Sequence, residues 1–422
     1  MSTGKKTVPE IRFGGFSEPW AQRKLGDMGS TFTGLSGKTK EDFGHGDAKF
    51  ITYMNVYTNA VADLTMTEPI EVDSKQNKVK AGDVFFTTSS ETPEEVGMSC
   101  VMPADMEDTY LNSFCFGYRQ TERLDLNYLA YALRSNSFRE QMVFLAQGIS
   151  RYNISKNKVM EAEIAVPSSD EQSQIGSIFE SLDSLISQHQ HKYDTLVAVK
   201  KAMLEKMFPR EGETVPQIRF AGFADPWEQR KLGDIVERVV RKNTNNESSL
   251  PLTISAQYGL VDQITYFNNR VASRDVSNYY LVLNGEFAYN KSTSDGFPFG
   301  AVKRLDLYEK GVLSTLYIVF SIKNQSEIDS DYLTVFFDTD RWHKGVSERA
   351  AEGARNHGLL NISADDFFDI DIFLPRHKEE QVAIGSYLRH LDNLITLHQR
   401  KCEVLKNLKS ALLSKMFVGT TE

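Results

Sequence analysis

Two long segments of the chain carry apolar residues at alternating spacings of three and four, which is the pattern of a heptad seam. In residues 175–207, the two seam positions hold Ile175, Leu182, His189, Leu196 and Met203, and Phe179, Ile186, Tyr193, Lys200 and Met207. In residues 384–416, they hold Ile384, Leu391, His398, Leu405 and Leu412, and Leu388, Ile395, Cys402, Lys409 and Met416. Each segment predicts a helix of roughly 37 residues, about 55 Å long.

A single helix of this kind cannot bury its own seam, so we expect the two segments to pack on each other as a coiled coil. Each helix follows a globular segment, and an antiparallel pair would place one globular unit at each end. His189 and His398 occupy matching seam positions. They could form a pH-sensitive or metal-binding centre, but polar seam residues more simply set the register of the two helices.

The segments between these helices predict short strands, because runs of β-branched and aromatic residues alternate there with clusters of Gly, Asn and Ser. The clearest runs are residues 49–56, 83–88, 252–255 and 317–322. Gly-Asp pairs at residues 26–27 and 233–234 predict a turn or the start of a helix. Short strands are also expected to end at Pro167 and Pro375, just before the long helices.

Shorter helices are predicted at matching places in the two halves. Asp125 precedes one helical pattern and Asp329 precedes another, and each carboxylate can cap the first turn. Ser155 and Ser363, in the triplet Asn-Ile-Ser of each half, suit the same capping role. Both triplets also match a glycosylation sequon, but the sequence shows no secretory signal.

The chain contains a long internal repeat. Residues 8–27 and 215–234 are identical at 15 of 20 positions, and residues 171–209 and 380–418 at 19 of 39. The segments between them differ strongly. A repeated frame with different interiors indicates one scaffold that holds two separate readers.

Charge and composition limit the classes of function. The net charge is −9, with 13 basic and 20 acidic residues in 28–170, and 16 and 20 in 235–379. This balance disfavours unspecific binding to polyanions, so a nucleic-acid reader would have to concentrate positive charge locally. No apolar run could span a bilayer, and three cysteines without metal-ligand spacing indicate reduced thiols. We therefore expect a cytoplasmic protein without a membrane partner.

Catalytic signatures are absent from the sequence. The segment GLSGKT at residues 34–39 lacks the first glycine of a phosphate-binding loop, and no G-x-G-x-x-G, H-E-x-x-H or G-x-S-x-G occurs. The Asp/Asn-Pro-Pro-aromatic tetrapeptide of adenine methyltransferases is also missing. The D-x-K at residues 47–49 is too common to indicate a nuclease site. These observations predict a chain that is not itself an enzyme and has no catalytic or metal-binding residues.

Polar and aromatic side chains cluster in corresponding stretches, around residues 49–59 and 87–90 of the first half and 253–258 and 290–294 of the second. Asn and Gln can bind adenine, Lys and Arg can bind guanine, and Ser or Thr can serve either role. Residues 141–160 contain three basic residues and no acid, which makes the loop at 148–158 the best basic patch of the first half. The same stretches could equally be solvated loops of an ordinary binding module.

The combined motifs resemble the DNA-specificity subunit of type I restriction–modification enzymes. RFxGFxxPWxQRKLGD begins each half, and a shared motif begins each long helix. The residues of that second motif are Pro167, Glu171, Gln172, Ile175, Leu182 and Asp183, and Pro375, Glu380, Gln381, Ile384, Leu391 and Asp392. The resemblance covers residues 8–418.

This resemblance implies an α+β chain in which two pseudo-repeated α/β target recognition domains are separated by a long antiparallel two-helix coiled coil. The implied segments are recognition domains at 8–170 and 215–379 and conserved helices at 171–210 and 380–418. Each recognition domain would read one half of a split site in double-stranded DNA, and the helices would set the unread spacer.

The resemblance also implies the partners. Two modification subunits would bind S-adenosylmethionine and methylate adenines, and two restriction subunits would use ATP and Mg²⁺ for translocation and cleavage. This chain would hold none of these cofactors. The residues that we nominate for DNA contact are Tyr53, Asn55, Thr88, Arg151, Tyr152, Gln257, Lys291, Arg355 and Asn356. The alternatives are a fused nuclease or methyltransferase and a tandem protein-binding adaptor built on a coiled coil.

Overall fold

The structure is a computed structural model and describes residues 7–255, 258–294, 296–350, 358 and 360–418. The described chain divides into two compact units. Unit 1 contains residues 7–190 and 399–418, and unit 2 contains residues 191–398. Each long helix is therefore shared between the units, whereas the sequence predicted the helices as segments of their own.

Unit 1 is a mixed α and β structure. Its strands are β1 (Ala21–Lys24), β2 (Gly29–Thr33), β3 (Phe43–Ile51), β4 (Thr67–Ile70), β5 (Val84–Thr87), β6 (Ser89–Ser90), β7 (Ser99–Val101), β8 (Thr109–Leu111), β9 (Cys115–Gln120), β10 (Tyr152–Asn153) and β11 (Glu163–Val166). Its helices are α1 (Leu25–Met28), α2 (Tyr53–Thr58), α3 (Leu126–Ala132), α4 (Asn136–Leu145), α5 (Lys156–Val159) and the beginning of α6 (Ser169–Lys206).

Unit 2 repeats much of this order. Its strands are β12 (Glu228–Lys231), β13 (Val236–Arg238), β14 (Leu252–Ser255), β15 (Gly259–Asp262), β16 (Tyr280–Leu283), β17 (Phe287–Asn290), β18 (Ala301–Arg304), β19 (Lys310–Leu313), β20 (Ile318–Ile322) and β21 (Asp371–Leu374). Its helices are α7 (Leu232–Ile235), α8 (Gln263–Phe267), α9 (Ser330–Phe336), α10 (His343–Arg349), α11 (Ala364–Phe368) and the beginning of α12 (Lys378–Lys415).

Both units are built on the same four-stranded antiparallel sheet. Its order is β2-β9-β5-β7 in unit 1 and β13-β20-β17-β18 in unit 2. A second antiparallel pair, β1 with β11 and β12 with β21, joins the start of each repeat to its end. The units differ in the rest: unit 1 adds the sheet β4-β3-β8, and unit 2 adds the pairs β14-β15 and β16-β19. The α+β class and the repeated scaffold are confirmed.

The sequence-predicted elements are mostly confirmed, with two corrections, at Ser155 and at the run 49–56. Three of the four predicted strand runs coincide with β5, β14 and β20, and the carboxylates of Asp125 and Asp329 accept hydrogen bonds from the first turns of α3 and α9. Ser363 caps α11 in the same way, whereas Ser155 makes no such bond. The run 49–56 is only half strand, because β3 ends at Ile51 and α2 follows. A Thr52 cap on the amide of residue 55 starts that helix despite the β-like composition.

A buried ion pair ties the first repeated motif to the start of the long helix. In unit 1, Arg12 binds Glu171 through two bonds, Nε to Oε1 at 2.7 Å and Nη2 to Oε2 at 2.8 Å. The indole Nε1 of Trp20 donates to the same carboxylate at 3.1 Å, and Glu171 is almost fully buried. Two-point pairing of a guanidinium with a carboxylate fixes orientation as well as distance. We call this arrangement the Arg–Glu–Trp clamp.

Unit 2 contains the same clamp. Arg219 binds Glu380 at 2.6 and 2.8 Å, and Trp227 Nε1 donates to that carboxylate at 3.4 Å. The RFxGF..PW motif and the Glu-Gln pair thus occur together in each half because their side chains bond to each other.

The residues that follow each clamp glutamate contact the capped first turn of a shorter helix, α3 in unit 1 and α9 in unit 2. The side-chain oxygen of Gln172 accepts from the Asp125 amide at 2.9 Å, and its amide donates to Pro167 at 2.9 Å. Gly176 lies directly against the capped turn, where a Cβ would stand 2.7 Å from an Asp125 carboxylate oxygen and 2.9 Å from the Tyr128 amide. Gln381 and Gly385 repeat both features in unit 2.

The two long helices run antiparallel where they pair. Within unit 1, Phe179 packs on Phe417, Asp183 binds Lys409 Nζ at 2.5 Å, and Ile186 contacts Cys402. The partner number falls as the first number rises, which is the signature of opposite directions. The predicted seam is confirmed as the less exposed stripe of both helices, and His189 and His398 both lie on it, half-buried.

The seam lysines form matching ion pairs. In unit 2, Lys200 Nζ lies 2.7 Å from Asp392 and 3.1 Å from Asp338, and Lys303 binds Asp338 at 2.7 Å. The pair with Asp392 repeats the unit 1 pair of Lys409 with Asp183, because the two aspartates are equivalent in the repeat. Burial alone would raise the pKa of Asp338, but the two ammonium groups outweigh it and hold that pKa below its ordinary value of 3.8.

Replacing Glu171 by Ala should destabilise unit 1, because it leaves the buried guanidinium of Arg12 without its counter-charge. We expect the free energy of unfolding to fall by about 3 kcal/mol in urea denaturation. Glu180→Ala is the matched control, since Glu180 is an exposed glutamate of the same helix that accepts a hydrogen bond from Asn127. Equal unfolding midpoints for the two variants would contradict a stabilising role for the clamp.

Asp338→Asn should destabilise the protein at pH 7 by about 2 kcal/mol, because two charge-assisted hydrogen bonds are lost. A depressed carboxyl pKa contributes stability above the unfolded-state value and loses it as pH falls through the folded-state value. The difference from wild type should therefore narrow when urea denaturation is repeated below about pH 4. Asp340→Asn, at a largely exposed side chain, should show no such trend; a pH-independent difference would refute the assignment.

Candidate nucleic-acid interface

Three nominated residues of unit 1 come together at two adjacent serines, Ser89 and Ser90. The hydroxyl of Tyr53, at the start of α2, donates to the Ser89 carbonyl at 3.0 Å. Arg151 Nη2 donates to the Ser89 hydroxyl at 3.2 Å, and Tyr152 pairs with Ser90 between the short strands β10 and β6. Segments that are far apart in the chain therefore converge, and we call this group the unit 1 cluster.

Thr88 adds a polar edge to the unit 1 cluster. Its hydroxyl donates to the Phe114 carbonyl at 2.8 Å, and its own carbonyl accepts from the Ile154 amide at 2.9 Å. The hydroxyl oxygen keeps acceptor capacity for a ligand. Phe114, which the sequence reasoning did not single out, is an exposed aromatic residue in the adjoining turn.

The loop that carries Arg151 is a tight hairpin. Gln147 and Asn153 exchange two backbone hydrogen bonds, at 3.0 and 2.8 Å. Gly148 has φ +151°, and a Cβ there would stand 2.0 Å from the Arg151 carbonyl oxygen. Only glycine fits this position, so the backbone itself sets the shape of the loop. We call residues 147–153 the tip hairpin.

The segment that contains the tip hairpin is itself basic. Arg151 is exposed, as are Lys156 and Lys158 on the following helix α5. The segment after β6 is acidic: Glu91 and Glu94 are exposed, and Glu95 accepts from Tyr57 at 2.7 Å and from Ser90 at 3.1 Å, bonds that hold the pKa of Glu95 below the ordinary value. This carboxylate is committed to the scaffold. Residues 141–160 therefore concentrate positive charge within an otherwise acidic half of the chain, as a site for phosphates requires.

Asn55 is a correction to the nominated set. It is fully buried, and its amide donates to Asp63 and Met66 while its oxygen accepts from Asn59 and the Asp63 amide. All hydrogen-bonding positions of the side chain are used to hold the loop after α2. We therefore remove Asn55 from the residues that could read a base.

Arg134 supports the cluster in a way that sequence reasoning missed. Its buried guanidinium donates to the carbonyls of Val56, Tyr57 and Asn59 at the end of α2, and to that of Ser99. Burial lowers the pKa of this arginine. From the sequence, Arg134 would be interpreted as a polar residue at the end of a helix. No local pattern indicates that it binds the end of α2.

Unit 2 places one nominated residue at the equivalent position. Lys291 follows β17 as Thr88 follows β5, and its carbonyl accepts from the Leu360 amide at 2.9 Å. Its ammonium donates to the Ile362 carbonyl at 3.3 Å, and the Thr293 hydroxyl donates to Gly358 at 2.9 Å. In both units, the residue that follows this strand thus accepts a backbone hydrogen bond from the segment just before α5 or α11. Gln257, Arg355 and Asn356 lie outside the described residues.

A second exposed stretch of unit 2 was not nominated. Residues 263–274 contain two arginines, two asparagines and no acid. Tyr266 and Phe267 of α8 form an edge-to-face pair with ring centres 5.0 Å apart, both exposed, and Asn268 ends the helix in the left-handed conformation. The absence of acids over twelve residues is the sequence signal that could have indicated this surface.

Other features of the described chain add no further chemistry. Within residues 7–418, leaving aside the short undescribed gaps, no group of three or more His, Cys, Asp or Glu side chains is placed to hold a metal ion. The helices described there include none that is long and apolar enough to cross a membrane. The three cysteines are unpaired and buried, and burial raises the pKa of Cys100 and Cys115 to about 12.

Comparison with known proteins gives consistent matches. The model of the type I restriction modification DNA specificity domain matches twice, over residues 17–197 and 224–407. The type I restriction enzyme MjaVIII specificity subunit of Methanocaldococcus jannaschii is 24% identical over 382 residues, covering 87% of this chain and 85% of that protein. The putative MjaX specificity subunit of the same organism is 23% identical over 440 residues, covering 98% and 96%.

One solved structure supports the fold. The S subunit of a type I restriction–modification system from M. genitalium matches with a TM-score of 0.62 and 13% identity, covering 98% of this chain and 100% of that one. At this identity the match shows a shared fold.

Gly148→Ala should open the tip hairpin, because the added methyl group collides with the Arg151 carbonyl and φ is unfavourable for alanine. We expect faster hydrogen exchange at the amides of Gln147 and Asn153, measured by mass spectrometry or NMR. Gly37→Ala is the control, since Gly37 also has positive φ but its Cβ would meet nothing within 4 Å. Unchanged protection at both amides in the Gly148 variant would show that the loop is not held as described.

Proposed function

The chain belongs to the type I restriction–modification DNA specificity family, which confirms the resemblance seen in its motifs, and we propose that it reads a split DNA sequence. Unit 1 would bind one half-site and unit 2 the other. The observation that carries this proposal is the repetition of one scaffold, with the same clamp and the same central sheet, around strands and loops that differ. Two units that share a scaffold but differ in their additional strands and loops are suited to binding two different base sequences.

The contacts would be made chiefly by loops at the ends of the central strands. Tyr53, Thr88, Arg151 and Tyr152 support this role in unit 1, and Lys291 with the exposed stretch 263–274 supports it in unit 2. Arg and Lys serve phosphates and guanine edges, and Thr and Tyr hydroxyls add polar contacts. The undescribed Gln257, Arg355 and Asn356 stay predictions.

The long helices would set the number of unread base pairs between the half-sites. Both are shared by the two units, and both are pinned in register by the pairs of Lys409 with Asp183 and Lys200 with Asp392. Because a paired helix is stiff, a change in its length would be transmitted to the spacing of the two readers.

We propose that the chemistry belongs to partner subunits. Two modification subunits would bind S-adenosylmethionine, flip an adenine out of each half-site and methylate it, and two restriction subunits would add translocation and cleavage with ATP and Mg²⁺. This chain would select the DNA site at which the partners act, and it would work in the cytoplasm, where the host DNA is. Phosphate contacts from the partners would offset its acidic balance, since such contacts supply much of the affinity for DNA.

Sequencing methylated adenines in a host that carries this subunit and its partners tests the proposal. The wild type should give one asymmetric site of two short halves with an unread spacer. One heptad inserted after Gln190 and another after His398 should lengthen the spacer by ~10 Å, or roughly three base pairs, and leave both halves unchanged.

Three base pairs also rotate the duplex by roughly 100°, so loss of methylation is the other result that the proposal allows. An unaltered spacer would refute the ruler role of the helices. If no duplex is preferred even with the modification subunit present, the chain is better explained as a tandem protein-binding adaptor.

A further inference from the structure

The tip hairpin of unit 1 presents an isoleucine to solvent. Ile149 is 97% exposed, the largest exposure among the exposed large hydrophobic residues described in the chain. Covering an aliphatic side chain of this size contributes roughly 1.5–3 kcal/mol, so full exposure forgoes that contribution. An apolar residue at the end of a rigid loop is a candidate contact for a ligand.

The loop holds this side chain in a defined place. The two backbone bonds between Gln147 and Asn153 close the hairpin, the backbone at Gly148 admits only glycine, and Arg151 ties the loop to Ser89. Ile149 therefore does not lie on a loosely held strand. Its position relative to the unit 1 cluster is set by the same contacts that assemble that cluster.

The surroundings favour nucleic acid over an apolar protein partner. No acidic residue occurs from position 141 to position 160, and Arg151 within the hairpin and Lys156 shortly after it are exposed. The hairpin is a loop closed by the single backbone bridge between Gln147 and Asn153, and the major groove of B-DNA admits even a two-stranded ribbon. Cations on its flanks would meet phosphates while its end reached the base edges.

The major groove offers one apolar group to such a residue, the C5-methyl group of thymine. We infer that Ile149 contacts the methyl group of a thymine and makes unit 1 select that base in its half-site. This inference rests on the proposed function and adds a specificity-determining residue to it. The polar residues of the unit 1 cluster would bind neighbouring base edges and phosphates.

The test compares wild type with Ile149→Ala, each assembled with the modification subunits, by selection from a randomised duplex library and by titration of the selected site. Wild type should prefer thymine at one position of the unit 1 half-site. Deoxyuridine at that position, which lacks only the methyl group, should weaken wild-type binding about fourfold. Ile149→Ala should lose a similar factor on the thymine duplex and nothing further on deoxyuridine.

Phe144→Ala is the matched control. Phe144 is 88% exposed and also belongs to unit 1, but it lines a groove of about 360 Å³ in which two carboxylates, Glu140 and Glu161, stand against one ammonium group, that of Lys158. This variant should keep both the thymine preference and the deoxyuridine penalty. Because Ile149 and Phe144 are both exposed, neither substitution should lower the melting temperature.

The outcomes separate the inference from the proposed function. If wild type prefers a sequence and Ile149→Ala keeps the thymine preference, the inference is overturned and the proposed function stands. Equal weakening on every duplex overturns it as well, because it indicates a wedge between base steps or a contact to the backbone. If wild type prefers no duplex, the proposed function fails and the inference fails with it.

Discussion

The buried bond between an arginine and a glutamate is the constraint on which each unit depends. Arg12 and Glu171 in unit 1, and Arg219 and Glu380 in unit 2, join a segment that begins the repeat to the first turn of the helix that ends it. A buried carboxylate is tolerated only when it is paired and hydrogen-bonded, and here a tryptophan completes the set. The ion pair therefore joins the beginning of each repeat to its end. The residues between these two points are not constrained by the pair and can differ between the units.

Closure by the clamp explains why the central sheets are alike and their surroundings are not. The four-stranded sheet, its strand order and the capped helix beside it recur in both units, because the Gln and Gly residues after each clamp glutamate contact that helix cap directly. Beyond this frame, unit 1 adds a three-stranded sheet and unit 2 adds two strand pairs. The loops that could contact DNA belong to the part that the clamp does not restrain. Sequence selection can thus change while the scaffold stays constant.

The same logic separates supporting residues from reading residues within unit 1. The polar groups of Asn55 and Arg134 form hydrogen bonds to the backbone around α2. These two residues therefore position the cluster and are not available to a ligand. Tyr53 and Arg151 each make a bond to Ser89, and of the two Arg151 is exposed while Tyr53 is half-buried. Ile149 contributes an exposed aliphatic side chain to the tip hairpin. Under the proposed function, the DNA-contacting surface of unit 1 would combine positive charge, hydroxyl groups and an apolar side chain.

The sequence by itself determined the repeated order, the two long helices and the caps at Asp125 and Asp329, because periodicity and capping are local properties of a few neighbouring residues. Only the tertiary structure decided which polar residues are free to act. Asn55 looked like a base contact until its four bonds were seen, and the run at 49–56 looked like a strand until the cap after β3 was placed. The hydrogen-bond partners of a side chain can be distant in sequence, so no spacing of residues predicts them. The clamp is the same case, since its two motifs are 159 residues apart and meet only in the folded chain.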